Sequence, residues 1–449
     1  MRWAPLASGA EASAVRIVML GINYWPEETG IAVFNTGRCE HLAARGHEVT
    51  MCTGFPYYPR WRVAEAYRGR LVARENRHGV EILRSYLYVP RRVTTLRRIL
   101  HEASFIASSC LRTLASRRPD VLVTVSPPLG LALSSLLLSR LWGIPYVFRV
   151  EDLQPDAAID LGMLPSGATA KGLYALERLA YRRAALVSTL TPAMQRKIAG
   201  KGVPAERVAL CPNWAEPDLF ELPLAGGGAA FHERFGLVNR LLVVHVGNMG
   251  VKQGLDVVLA AAERSREYPE IVYLLVGDGA VRPALEARAA MAGLDNLRIL
   301  SLQPTPIFRQ LLAAADLTLV TQQRTVGDIV FPSKVLTLLA AGKPVVASLN
   351  ASSEVARVVT EAGAGVIAAA EDPEALVAAV GGLRGDADRR QRMGANGRAY
   401  ARAHWDRERI LTDMEQQLLG AAASRSRPES SSPRGTDAAQ HLPGHPHVR

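Results

Sequence analysis

Short apolar runs alternate with helical patterns along this chain, halt at a Pro- and Gly-rich stretch, and then begin again. Val15–Gly21, His47–Thr53, Val80–Tyr86, Val121–Val125, Tyr146–Val150 and Leu186–Thr189 are too short for buried helices and read as strands. A helical pattern from Ile31 to Arg45, stopped by Gly46, opens the series of helices between them. The second series has strands at Leu241–Val246, Val272–Val276, Arg298–Leu300, Leu317–Val320 and Val345–Ala347. Helical patterns at Gly254–Ala262 and Arg282–Met291 separate them. Alternation of this kind predicts a parallel, doubly wound sheet, here twice over. The expected fold class is therefore α/β, two Rossmann-like domains facing a central cleft, with ligands at the strand C-terminal edges.

The boundaries follow. Residues 15–212 form one domain and 229–404 the other, joined by a linker over 213–228. Residues 1–14 are an N-terminal extension, 405–420 a helix packing back on the first domain, and 421–449 a disordered tail of polar residues. At 449 residues the chain is too long for one core. No run of about 18 uncharged apolar residues suits a membrane span, and the start lacks the pattern of a secretory signal. Cys39, Cys52, Cys110 and Cys211 show no metal-ligand spacing and read as thiols of a reducing compartment, the cytoplasm.

The net charge of +11 raises the question of an anionic partner. Between Arg91 and Arg118 there are seven Arg and one Glu. Leu96, Ile99, Leu100, Phe105, Ile106, Leu111 and Leu114 of the same stretch fit one helical face. Such a helix suits an anionic membrane surface, and a solvated helix of a globular domain fits equally. Nucleic acid is not expected, since no recognition motif is present and aromatics are 6% of the chain.

Five constellations could carry chemistry. The loop from Gly21 to Gly30, with Tyr24 and Trp25, follows the first strand, and Gly30 would let a phosphate or sugar approach the backbone; a plain turn glycine serves as well. After the first strand of the second series, Gly247, Asn248, Gly250, Lys252 and Gly254 make an anion-binding loop. Gly277, Asp278 and Gly279 end the next strand and could accommodate a base or ribose, or simply turn. Glu151, Asp152 and Asp156 cluster at a strand end, where carboxylates serve acid/base or sugar-hydroxyl duties or stay solvated. Phe331, Pro332, Ser333 and Lys334 start a helix with a cation suited to a diphosphate, or one that merely makes an ordinary connection of a doubly wound domain, and Gly342-Lys343-Pro344 stops it.

In this order the motifs resemble the retaining glycosyltransferases of family four, which have the GT-B fold, and among them the bacterial exopolysaccharide enzymes of the colanic acid type. The stretches that carry the likeness are Gly21–Ile31, Ala43–Met51, Gly54–Pro59, Glu151–Asp156, Gly247–Leu255, Val276–Gly279, Phe331–Ala347 and Arg389–Arg398. The resemblance implies transfer of a sugar from a nucleotide diphosphate sugar to an acceptor hydroxyl, with configuration retained and without a metal or other cofactor. The second domain would bind the donor. There Lys252 would hold the diphosphate, aided by Ser333, Lys334 and the amides near Gly30, with Asn248, Gly277, Asp278, Gly279 and Thr337 beside it. Glu151 and Asp152 would be the catalytic carboxylates, and Tyr24, Trp25 and Asp156 would face the acceptor. That acceptor would be a lipid-linked saccharide at the inner face of the plasma membrane, reached through residues 91–118.

Three departures from the family pattern stand out. Asn248 lies where many members have Arg, Thr337 and Ile329 where they have two glutamates, and Glu151 where they often have His. A nucleotide-sugar epimerase and a non-catalytic sugar-nucleotide-binding relative therefore remain as alternatives.

Overall fold

The computed structural model describes residues 14–92, 94–156, 167–326 and 331–423. The first domain runs β1 (Arg16–Leu20), α1 (Ile31–Ala44), β2 (Glu48–Gly54), β3 (Val72–Arg77), β4 (Val80–Ser85), α2 (Thr95–Leu114) and β5 (Val121–Ser126). It continues with α3 (Leu131–Trp142), β6 (Tyr146–Val150), α4 (Ala168–Arg183), β7 (Leu186–Thr189), α5 (Pro192–Gly200) and β8 (Val208–Leu210). Its eight strands lie in the order β3-β4-β2-β1-β5-β6-β7-β8. Ile17 of β1 is aligned with Val49 on one side and Val121 on the other, all buried, as a sheet covered on both faces requires. Among the described strands only β3 departs from the parallel expectation. It pairs antiparallel to β4 at the sheet edge, exposing alternate side chains of the polar run Val72–Arg77. That alternation marks a half-covered edge strand rather than a core one.

The second domain holds α6 (Ala229–Arg234), β9 (Leu241–Asn248), α7 (Asp256–Arg264), β10 (Ile271–Asp278), α8 (Arg282–Ala292), β11 (Leu297–Leu300) and α9 (Thr305–Ala314). Then come β12 (Leu317–Thr321), α10 (Lys334–Ala340), β13 (Val345–Ser348), α11 (Glu354–Glu361), β14 (Gly365–Ala368), α12 (Pro373–Arg384), α13 (Ala387–His404) and α14 (Arg407–Ala423). Its six parallel strands are ordered β11-β10-β9-β12-β13-β14. Both sheets reverse strand order once among their parallel strands, at β1/β5 and at β9/β12. Ligands of open α/β sheets bind outside such reversals, so the loops after β1, β9 and β12 are the ones to inspect.

The two domains share a core, and the segment between them is not slack. Trp214 is buried, its ring edge-on to Phe34 of α1 with centroids 5.1 Å apart. Gly37 permits this, because a Cβ there would lie 2.5 Å from the indole. Ala215 N–H donates to the Trp405 carbonyl at 3.0 Å, tying the two chain crossings to each other. Past Trp405 the chain returns to the first domain, where α14 packs on α1, β5 and β6. Buried Glu415 accepts from His47 Nε2 at 3.0 Å and from Arg45 Nε at 3.1 Å. The helix runs to Ala423 with Ala421 buried, so ordered structure continues past the expected boundary at 420. Most of the proposed tail and extension, residues 424–449 and 1–13, lies outside the described residues.

Candidate active site

Strand β9 ends on Gly247, at φ 110°, and the exposed Asn248, in register with Gly277 and Asp278 of β10. A Cβ on Gly277 would overlap the Gly247 carbonyl oxygen, and one on Gly279 would meet the Met249 main chain at 2.4 Å or a little more. These glycines are thus required by two strand ends crowding together. Met249 N–H donates to the Asp278 carbonyl at 2.8 Å, and Asp278 Oδ1 caps the Gly279 amide at 2.8 Å. Lys252 sits in the following tight turn, which Gly254 closes with φ 56°, and its carbonyl accepts from Gln323 after β12. The side chain is partly exposed and makes no salt bridge among the described residues.

Lys334 opens α10 rather than Pro332. The helix has only seven residues, so the charge at its start comes from the ammonium more than from aligned peptide dipoles. Ser333 is exposed just ahead of it, and Thr337 is partly buried one turn on. Lys334 Nζ lies 3.4 Å from Nε2 of His245, a fully buried residue of β9. Burial pulls the ammonium down to about 7. Ile329 lies outside the described residues.

Across the cleft, the loop after β1 is organised by a buried carboxylate that the sequence reading passed over. Glu27 Oε1 accepts from the Tyr57 and Tyr58 amides, each at 2.8 Å, and Oε2 accepts from Asn23 Nδ2 at 2.8 Å. Burial raises its pKa against those hydrogen bonds. Glu27 thereby fastens the Gly21–Gly30 loop to the loop after β2, whose Tyr58 feels the charge of Asp278 in the other domain. Gly30 ends the loop with φ 64° and open space around its Cα, directly before α1. Trp25 is half-buried beneath Arg77, with 4.5 Å from guanidinium to ring.

Three expected roles need correction. Tyr24 is buried in the core, so it presents nothing to an acceptor. Asp156 turns inward: Tyr174 OH donates to its Oδ1 at 3.2 Å and Lys201 Nζ to its Oδ2 at 2.5 Å. Glu151 is enclosed with Arg38, Arg149 and Asn213. Arg38 donates to Oε1 at 2.8 Å, Arg149 to the same oxygen at 2.9 Å, and Asn213 to Oε2 at 2.9 Å. Burial alone would raise its carboxyl, but the two guanidiniums outweigh that and hold it at about 2. A carboxylate so fully committed is a poor base and anchors Asn213, where the chain leaves the first domain.

Asp152 is different. It follows Glu151 out of the sheet, is partly exposed, and feels the charge of Lys252 across the cleft. Burial raises its pKa and Lys252 opposes the rise. Asp152 thus lies within electrostatic reach of Lys252, and Tyr58 of Asp278, while Glu151, Asp156 and Tyr24 are withdrawn. A cavity of about 440 Å³ beside the chain crossings, lined in part by Asn213, Ser333, Leu336, Glu354 and Trp405, continues between the domains. Arg38 carried no sequence signal, but His245 interrupts an otherwise apolar strand, and that break was the sign available.

The basic helix α2 has an unexpected orientation. It buries His101, Phe105, Ser109 and Thr113, while Leu96 and Leu111 are 68% and 69% exposed and Ile99, Leu100 and Leu114 also face outward. Its neighbour α3 exposes Leu133, Leu137 and Leu141, one helical stripe. No helix among the described residues is long and apolar enough to cross a membrane.

Residues 29–214 match the family model described as "Glycosyl transferase 4-like domain", and residues 230–400 match "Glycosyl transferases group 1". The chain is 35% identical over 412 residues to WcaI of Escherichia coli (strain K12), named as a colanic acid biosynthesis glycosyl transferase, covering 90% of this chain and 100% of that one. Among solved structures, sucrose-phosphate synthase from Thermosynechococcus elongatus superposes with a TM-score of 0.72 at 18% identity, covering 91% of this chain and 100% of that one. Anabaena HepE in complex with UDP-glucose gives 0.67 at 17% identity, covering 90% and 100%. With this fold, this order of domains and this identity to a full-length relative, the chain belongs to the GT-B glycosyltransferases that join a 4-like domain to a group 1 domain.

Proposed function

We propose that this glycosyltransferase is a retaining hexosyltransferase of family four. It transfers a sugar from a nucleotide diphosphate sugar to a hydroxyl of a lipid-linked saccharide in exopolysaccharide assembly, at the inner face of the plasma membrane. The observation that carries the reading is the pair Lys252 and Lys334. Both stand at the β9/β12 reversal, and neither has a carboxylate bound to it among the described residues. Two cations without protein counter-ions at a sheet reversal suit a diphosphate, whose charge grows as the sugar departs. In this reading Asn248, Gly277, Asp278, Gly279, Ser333 and Thr337 shape the donor side, with the Gly30 amides closing on it. The UDP-glucose complex of HepE, of the same fold, is in keeping with such a donor.

Retention by double displacement would need a carboxylate nucleophile. Glu151 is spent on two arginines, which leaves Asp152 to orient the sugar or acceptor. The departing diphosphate then takes the proton of the acceptor hydroxyl on the same face. Trp25 and Tyr58 border the acceptor side.

The test is a panel of nucleotide sugars with a polyprenyl diphosphate-linked saccharide, reading nucleoside diphosphate release and the anomeric configuration of the product. Release with a retained anomer is expected; an inverted product would refute the mechanism. Lys252→Ala and Lys334→Ala should each lower turnover at least about a hundredfold. Near-wild-type rates in both would remove the diphosphate assignment. Because lysines supply the charge in this reading, excess EDTA should leave the rate unchanged, and a loss restored by a divalent cation would contradict it.

A further inference from the structure

Strand β9 is an apolar run, Leu241 to Val246, broken by a single polar residue, His245, which is wholly shielded from solvent. Placing an imidazole there costs desolvation that an aliphatic side chain would avoid. Its Nε2 faces Lys334 Nζ at 3.4 Å. Its Nδ1 makes no hydrogen bond among the described residues, although the main chain of Asn248 acts on the ring. Burial, and then the adjacent ammonium, hold the imidazole well below its ordinary range, so it is neutral. A neutral imidazole whose Nε2 meets an ammonium accepts the hydrogen bond there.

We propose that His245 is a positioning residue of the donor site. It holds the Lys334 ammonium by accepting its hydrogen bond without neutralising its charge, so that the diphosphate of the nucleotide sugar is the anion that completes the pair. A carboxylate at this place would orient the lysine equally well but would compete with the diphosphate for it. The inference rests on the donor site proposed above.

Its consequence is a proton-linked donor affinity. In the free protein Lys334 titrates at about 7, through burial. A bound diphosphate raises that value, so binding takes up a proton when it begins above neutrality. The sign follows: affinity is highest below pH 7 and falls up to about tenfold per pH unit as pH rises beyond it. The other elements packed on α10 do not offset this. Strand β12, Leu317–Thr321, carries no ionisable side chain. Arg398 of α13 reaches the far end of α10, at the Ala340 and Ala341 carbonyls. Asp218 and Glu221 of the turn 217–221 are taken by Arg309 and Arg402.

The test is calorimetric titration of the full chain with UDP-glucose and with GDP-mannose between pH 6.5 and 8.5, where neither diphosphate gains or loses a proton. Affinity for the one that binds should fall at least tenfold across that range. Lys334→Arg, permanently charged, should flatten the dependence. His245→Phe should weaken binding at least tenfold at pH 7.5, and His245→Gln, which keeps an acceptor, should recover most of it. Lysine ε-carbon NMR supplies a readout independent of any variant, with Lys334 titrating at about 7 when free and well above that when bound. Binding whose affinity is flat with pH, or unchanged in His245→Phe, would overturn the inference alone. Absence of binding by either nucleotide sugar at every pH would overturn it together with the donor site.

Discussion

At the scale of single residues, charge is spent in two opposite ways. Around Glu151 it is fully compensated: two guanidiniums and an amide surround one carboxylate, all nearly free of solvent. Removing one partner of such a group strands the others, so Glu151→Ala should cost about 3–5 kcal/mol in urea denaturation. The pH dependence has a definite sign. The carboxyl is held at about 2 against an ordinary 4.5, so its contribution is complete above 4.5 and is lost as pH falls toward 2. That loss amounts to about 3 kcal/mol, and Glu151→Gln should lack it. Around Lys252 and Lys334, by contrast, no carboxylate closes an ion pair among the described residues. From the sequence the two cases look alike, since a carboxylate or a lysine after a strand reads as available. Arg38 lies over a hundred positions before Glu151, and nothing local shows that it will fold onto it.

At the scale of elements, the central strands were legible because buried parallel strands are continuous apolar runs, whatever they pack against; the short, partly exposed outer strands β8 and β14 were not. β3, polar and alternating, was not, since an edge strand resembles any solvated segment. The case of α2 is more instructive. Periodicity reveals that a helix has two faces but not which one turns to the protein, and here the leucines turn away. Together with α3 they form an apolar surface, and the exposed Arg91, Arg92, Arg97 and Arg140 lie on these two helices or just ahead of α2. Arg98, held by Glu102 at 3.3 Å, also feels Asp152, so the surface borders the cleft. An anionic bilayer matches both the apolar and the basic character. Neutralising the exposed Arg91, Arg92 and Arg97 should release the protein from anionic vesicles in flotation assays. Leu133→Ser with Leu137→Ser should weaken binding several-fold without touching charge. Undiminished binding in both would exclude this face as the docking surface.

At the scale of the whole molecule, both crossings between domains are pinned. Trp214 is seated against α1, the Trp405 carbonyl holds the Ala215 amide, and the Glu151 cluster grips Asn213. Motion of one domain against the other must therefore pivot about this fixed edge, opening and closing the side where Asp152 faces Lys252. The clasp of α14 belongs to the same frame. Glu415→Leu leaves His47 without its buried acceptor, so a loss of about 1–3 kcal/mol is expected, with earlier proteolytic release of α14. An unchanged midpoint in thermal unfolding would mean that the ion cluster is replaceable by packing.

The return of α14 also sets an order on synthesis. The helix that seals α1 and lies against β5 and β6 is made after the entire second domain. While the ribosome is still translating, the nascent first domain exposes the surface that Leu411, Met414 and Leu418 will later cover. It must wait for more than two hundred further residues to emerge, at roughly 5–20 residues per second. A growing chain of this protein is thus at its most vulnerable to misassociation just before α14 leaves the exit tunnel.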